Sequence, residues 1–171
     1  MIAEAGVSIG TFYKYFESRE DLAQSLWADP VERLKTNLQA RFELAKNPSE
    51  QVRVLLKGYV NFALENRRVF RGAFLFVRPD TRPAPEQISL EDEMFYQNLC
   101  KAFTEGQRDG SFNTFDSGAM AQVFWAAIHG ALALPINLDR YEFDEPDTLS
   151  SNMIESLMDL IAAKPFVEDK R

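Results

Sequence analysis

Ile2-Ala3-Glu4-Ala5-Gly6-Val7-Ser8-Ile9-Gly10-Thr11-Phe12-Tyr13-Lys14-Tyr15-Phe16-Glu17-Ser18-Arg19-Glu20-Asp21-Leu22 decides how the whole chain is read. The stretch spells helix, tight turn, helix, cap and helix. Ala3, Ala5 and Gly6 are small enough for two short helices to cross closely, Gly6 permits the turn, and Ser8 offers a capping oxygen to the second helix. On that second helix, residues 9–16, Phe12 and Phe16 stand four apart and share one inward face. Thr11, Tyr13, Lys14 and Tyr15 fill the other directions with hydroxyl, cationic and aromatic groups. That is the composition of a helix laid against phosphates and base edges. Ser18 then caps a long helix, with Glu20 and Asp21 in its first turn, where acids complement the helix dipole.

Outward from this stretch the helical period continues, and no run keeps the two-residue alternation of a strand. The long helix points Leu22, Leu26, Val31, Leu34, Leu38 and Phe42 inward, and Pro30 must kink it or restart it with Asp29 as cap. Asn47-Pro48-Ser49 ends it and caps the next helix, expected over 50–66. A short helix follows at 68–77, and three prolines between 79 and 85 make a loop. Further helices are predicted over 87–108, with Leu90, Met94, Phe95, Leu99 and Phe103 inward and Gly110 as terminator, then over 116–134 and 147–163. With the short helix at 2–5, the prediction is an all-α protein of eight helices.

Composition narrows the function. The 171 residues are 46% hydrophobic with 14 phenylalanines, so a disordered chain is excluded. A net charge of −7 argues against indiscriminate binding of polyanions over the whole surface. One cysteine, Cys100, and one histidine, His129, leave no disulfide framework and no metal set, so neither metal nor cofactor is expected. No targeting segment is legible at the N-terminus, and a cytoplasmic location is expected. Residues 118–136 approach the length of a membrane span, but Gln122 and His129 near the middle and Pro135 near the end favour a buried helix and no membrane.

From Ala5 to Leu22 the chain resembles the helix-turn-helix of the tetracycline-repressor (TetR) family, whose pattern A-G-V-S-x-G-T-F-Y-x-Y-F-x-S-[KR]-E-D-L it follows nearly unbroken. Glu105-Gly-Gln-Arg-Asp-Gly-Ser-Phe112 resembles the family's phrase before its last two helices, and Trp125-Ala-Ala-Ile-His129-Gly130 resembles the W-x-x-x-H-G phrase of one C-terminal subgroup. The resemblance implies a DNA-reading head at 1–28 and a helical effector-binding and dimerisation domain at 29–171. It assigns phosphate or base contacts to Ser8, Thr11, Tyr13 and Tyr15, base choice to Ile9 and Lys14, and a phosphate clamp to Arg19. The family's first helix and basic arm have no counterpart before Met1, so the head is expected to be truncated. Residues 1–28 hold two basic groups against four acidic ones, a net of −2 that is poor for phosphate contact.

Other residues admit two readings each. Gly6-Val7-Ser8-Ile9-Gly10 satisfies the G-x-S-x-G expression of a hydrolase elbow, but that chemistry needs a strand before the serine and a parallel sheet behind it. No catalytic set is assigned. Tyr59, Phe62, Phe74, Phe95 and Trp125 either line an effector cavity or fill an ordinary core, and Gln122 and His129 are candidates to orient a mostly apolar ligand there. Arg67, Arg68, Arg71, Arg78 and Arg82 read as a solvated face or an anion site. The 116–134 helix, alanine-rich and apolar nearly all round, pairs with the last helix as a homodimer interface. The resulting expectation is a ligand-responsive regulator, a repressor released from a near-palindromic operator by a small effector. The alternative is an effector-binding or protein-interaction homodimer that no longer binds DNA tightly.

Overall fold

Asn47 shows in miniature how this chain sets its helix boundaries. Its side chain accepts the backbone N–H of Glu50 at 2.9 Å, and Pro48 follows at the first helical position, where no N–H is needed. The computed structural model describes residues 9–15, 19–74, 89–138 and 140–163. Its helices are α1 (Ile9–Tyr15), α2 (Arg19–Leu44), α3 (Pro48–Glu65), α4 (Arg67–Phe74), α5 (Met94–Arg108), α6 (Ser117–Asn137) and α7 (Pro146–Ile161). Among the described residues there is no strand, only an isolated bridge between Phe112 and Ala162. The all-helical expectation is borne out. The helix predicted at 2–5 lies outside the described residues, as do Phe16 and Ser18.

α3 is the central element, packed against α2, α4, α5, α6 and α7. Its Val52, Leu55, Leu56 and Ala63 have no exposed surface. Gly58 lets α2 approach, since a Cβ there would lie 2.2 Å from Leu38 Cδ2. At the far end, Phe103 of α5 meets Phe124 of α6 edge-on at 4.9 Å, with Phe112 and Phe115 at 6.2 and 5.4 Å. Gly110 adopts φ +81° and turns the chain after α5. The next residues then bind the end of α7: Asn113 N donates to the Ile161 carbonyl at 2.8 Å, and Ala163 N to that of Ser111 at 3.0 Å.

Three boundaries differ from expectation. α2 runs through Pro30 as one continuous helix, neither ending nor restarting there. α5 begins at Met94, not 87, because Ser89 caps a 3₁₀ turn at Leu90–Asp92 and Glu93 is extended. Leu90, expected inward, is therefore exposed on that turn. α6 continues through Pro135 to Asn137, beyond the predicted end at 134, and Arg71 of α4 donates to the Ile136 carbonyl near its terminus.

Two substitutions check this account by urea unfolding. Asn47→Ala removes the α3 cap and is expected to cost about 1 kcal/mol. Gly106→Ala places a Cβ 2.1 Å from Phe112 Cδ2, and overpacking of this kind is expected to cost about 1–3 kcal/mol.

Candidate nucleic-acid interface and effector cavity

α1 presents its polar groups outward. Tyr13 and Tyr15 are 59% and 68% exposed, and Thr11 and Lys14 are exposed with them. The Lys14 ammonium lies 5.7 Å from the Tyr15 ring centroid, so cation and ring form one surface. Ser8 lies outside the described residues, and the structure describes only the backbone of Ile9 and Arg19, both helical.

A cavity of about 220 Å³ opens behind α2. Val31, Leu34 and Leu38 of α2 form one wall, and Tyr59, Phe74, Phe95 and Trp125 bring aromatic rings from α3, α4, α5 and α6. Tyr59 is the hub. Its ring centroid lies 5.4 Å from that of Phe95, 5.9 Å from Phe74 and 6.0 Å from Phe70, and Phe95 is 5.4 Å from Trp125. Its hydroxyl lies 2.8 Å from His129 Nδ1.

The protons of that pair follow from burial. Burial pushes the Tyr59 phenol up to about 12, with the Trp125 indole N–H as the smaller, opposing effect. Burial also lowers the His129 pKa, so the imidazole is neutral near pH 7. The Tyr59 hydroxyl and the neutral imidazole therefore share one hydrogen bond, whose direction follows the imidazole tautomer. With these polar atoms engaged, the deep part of the cavity offers a ligand chiefly apolar surface.

Four of the seven predicted ligand residues thus line the cavity: Tyr59, Phe74, Phe95 and Trp125. His129 stands behind Tyr59 as its partner. Phe62 is buried and packs edge-on against Phe74 at 6.3 Å without being part of the lining. Gln122 is a correction: it is exposed on α6, on the opposite side from the buried Phe124 and Ile128. The helical period of an all-round apolar helix does not say which face turns inward. Of the arginine cluster, Arg67, Arg68 and Arg71 are exposed on α4, while Arg78 and Arg82 lie outside the described residues.

Sequence reasoning missed two features of the site. Lys35 and Glu93 meet at its edge, Nζ to Oε2 3.4 Å, across 58 positions that carry no local signal of the pairing. Gly72 faces the Trp27 ring so closely that a Cβ would lie 2.5 Å from Cζ2. α4 therefore lines the cavity with Phe74, supports Tyr59 with Phe70, and meets α2 through Gly72.

α6 and α7 also leave apolar surface uncovered. α6 has a mean hydropathy of 1.5 and is long and apolar enough to cross a membrane, yet only 33% of that window is buried within the chain. Ala119, Val123 and Ala126 lie exposed along one stripe of it, and Leu160 of α7 is 57% exposed.

The family described as "Bacterial regulatory proteins, tetR family" matches residues 2–26. No curated protein matches the chain. Among solved structures it is similar to a protein of unknown function from Rhodococcus sp. RHA1, with 24% identity, TM-score 0.64, and coverage of 94% of this chain and 82% of that one. It is similar also to a bacterial regulatory protein in the tetR family from Rhodococcus RHA1, with 16% identity, TM-score 0.65, and coverage of 96% and 85%. These likenesses extend the shared fold over nearly the whole chain.

His129 is the only histidine, which makes its titration readable. Its folded pKa lies below the ordinary 6.5, so below that pH the unfolded chain binds a proton that the folded chain resists. Stability is expected to fall as pH drops through 6.5, and the imidazole resonance to titrate with a midpoint below that value. Melting curves across this range should lose that part of the slope in His129→Gln.

Proposed function

We propose, from its opening motif and its fold together, that the chain is a bacterial transcriptional regulator of the TetR family, a ligand-responsive repressor acting in the cytoplasm as a homodimer. One observation carries the proposal: α1 turns Thr11, Tyr13, Lys14 and Tyr15 outward, and the next helix, α2, walls the aromatic cavity with Val31, Leu34 and Leu38. Reader and receptor share one helix. Ser8, Ile9 and Arg19 complete the proposed DNA-contacting set, within a head over 1–28 joined to a receptor domain over 29–171.

In this reading two α1 helices sit about one duplex turn, roughly 34 Å, apart on a near-palindromic operator. The exposed stripe of Ala119, Val123 and Ala126, with Leu160 of α7, is the surface that a second copy covers. A ligand favouring one packing of α2 against α4 and α5 shifts the separation of the heads and lowers operator affinity. Pro30 supplies the soft point, because its missing N–H leaves the Leu26 carbonyl without its helical donor. The Trp27–Gly72 contact transmits movement of α4 to the same segment.

Selection of bound fragments from a random duplex library tests the central claim. The chain is expected to enrich a near-palindrome, Lys14→Ala to relax the base preference, and Arg19→Ala to weaken binding to all sequences while lowering the salt slope by about one. Recovery of no sequence, with ligand binding intact, would favour the non-DNA-binding homodimer that the −2 charge of residues 1–28 also suits. In sedimentation at micromolar concentration the chain should be a dimer and Ala126→Glu a monomer. A wild-type monomer would remove the proposed interface. If Pro30→Ala and Gly72→Ala both leave operator affinity and its response to ligand unchanged, the coupling route is wrong.

A further inference from the structure

The polar groups described in the cavity wall already have partners. Lys35 and Glu93, the only charged residues among its described lining, close on each other at 3.4 Å. The Tyr59 hydroxyl lies 2.8 Å from His129 Nδ1, and the Trp125 indole N–H acts on the same phenol. Among the described residues the one buried side-chain polar atom without a hydrogen-bond partner is Gln51 Oε1, which belongs to α3 but not to this lining. The rest of the wall, Val31, Leu34, Leu38, Phe74, Met94 and Phe95, is apolar.

The ion pair is indifferent to sign. An incoming anion can take Lys35 and release Glu93, and an incoming cation can take Glu93 and release Lys35. In either exchange one ion pair replaces another, so the ligand's charge gains no net partner while giving up its own hydration. Charge of either sign is therefore a cost at this site. A ligand without charge leaves the pair closed and gains from covering the rings.

Resting on the effector reading above, we infer that the ligand is an uncharged, single-ring aromatic hydrocarbon of alkylbenzene size, seated among Tyr59, Phe74, Phe95 and Trp125 with the Lys35–Glu93 pair left closed. The size agrees. A dry apolar cavity of about 150 Å³ binds benzene, and this one, at about 220 Å³, leaves room for a short alkyl arm. The shape agrees as well. The Tyr59 and Phe95 rings are inclined by 43° and those of Phe95 and Trp125 by 56°, so a ligand ring lying flat on one meets the next obliquely, as aromatic pairs prefer.

Ethylbenzene, phenylacetate and benzylamine carry a methyl, a carboxylate and an ammonium at the same position of one benzyl frame, and each is titrated calorimetrically into the full chain. Ethylbenzene is expected to bind at least about tenfold tighter than either ion. Glu93→Gln, which frees Lys35, should narrow the gap for phenylacetate alone, and Lys35→Met, which frees Glu93, should narrow it for benzylamine alone. Val31→Phe, which fills part of the cavity from α2, should weaken ethylbenzene binding. An ion bound as tightly as ethylbenzene, or gaps that neither charge variant moves, would overturn the inference and leave the effector cavity standing. Binding of none of the three, or an ethylbenzene affinity that Val31→Phe does not change, would remove the cavity reading and this inference with it.

Discussion

A phenol buried among four aromatic rings must find a hydrogen-bond partner, and in this chain that partner is His129 Nδ1. An unpaired hydroxyl at that depth would cost about 1–3 kcal/mol, comparable to the contribution of a well-packed side chain. Satisfied, Tyr59 joins α3 to α6 and gives Phe70, Phe74 and Phe95 a common centre to pack against. Burial keeps the imidazole neutral, and an apolar interior lies beside the pair. Core and cavity are built from the same residues.

α2 is the second organising element because it serves two regions at once. Its N-terminal part follows α1 directly, and Val31, Leu34, Lys35 and Leu38 form one side of the cavity. Trp27, against the bare backbone of Gly72, is the point where α4 bears on it. A helix that loses one internal hydrogen bond at Pro30 bends more easily there than elsewhere. The proposed link between cavity contents and head position needs no long chain of intermediates.

α6 shows the opposite economy, one helix with two apolar faces. Phe124, Ile128 and Leu132 fill the core, while Ala119, Val123 and Ala126 face outward on residues small enough for close helix approach. Such a surface suits a second helix pair better than water.

How much of this was legible beforehand depended on the range of the interaction. Local chemistry spoke plainly: the Asn47-Pro48 cap, the Gly110 turn and the periodic apolar faces of α3 and α7 all stand where their residues place them. The opening motif likewise declared its polar side, and Thr11, Tyr13, Lys14 and Tyr15 are exposed. Leu90 misled because a serine cap four residues before the Glu93 cap closes a 3₁₀ turn that hydrophobic spacing cannot distinguish from a first helical turn. Gln122 misled because a helix apolar on all sides carries no record of which side faces inward. Periodicity and capping are written within a few residues of one another, so the amino-acid order determined the helices and the polar side of α1 by itself. The Tyr59–His129 bond, the Lys35–Glu93 pair and the Trp27–Gly72 contact join residues dozens of positions apart, and only the packing of the helices decided them.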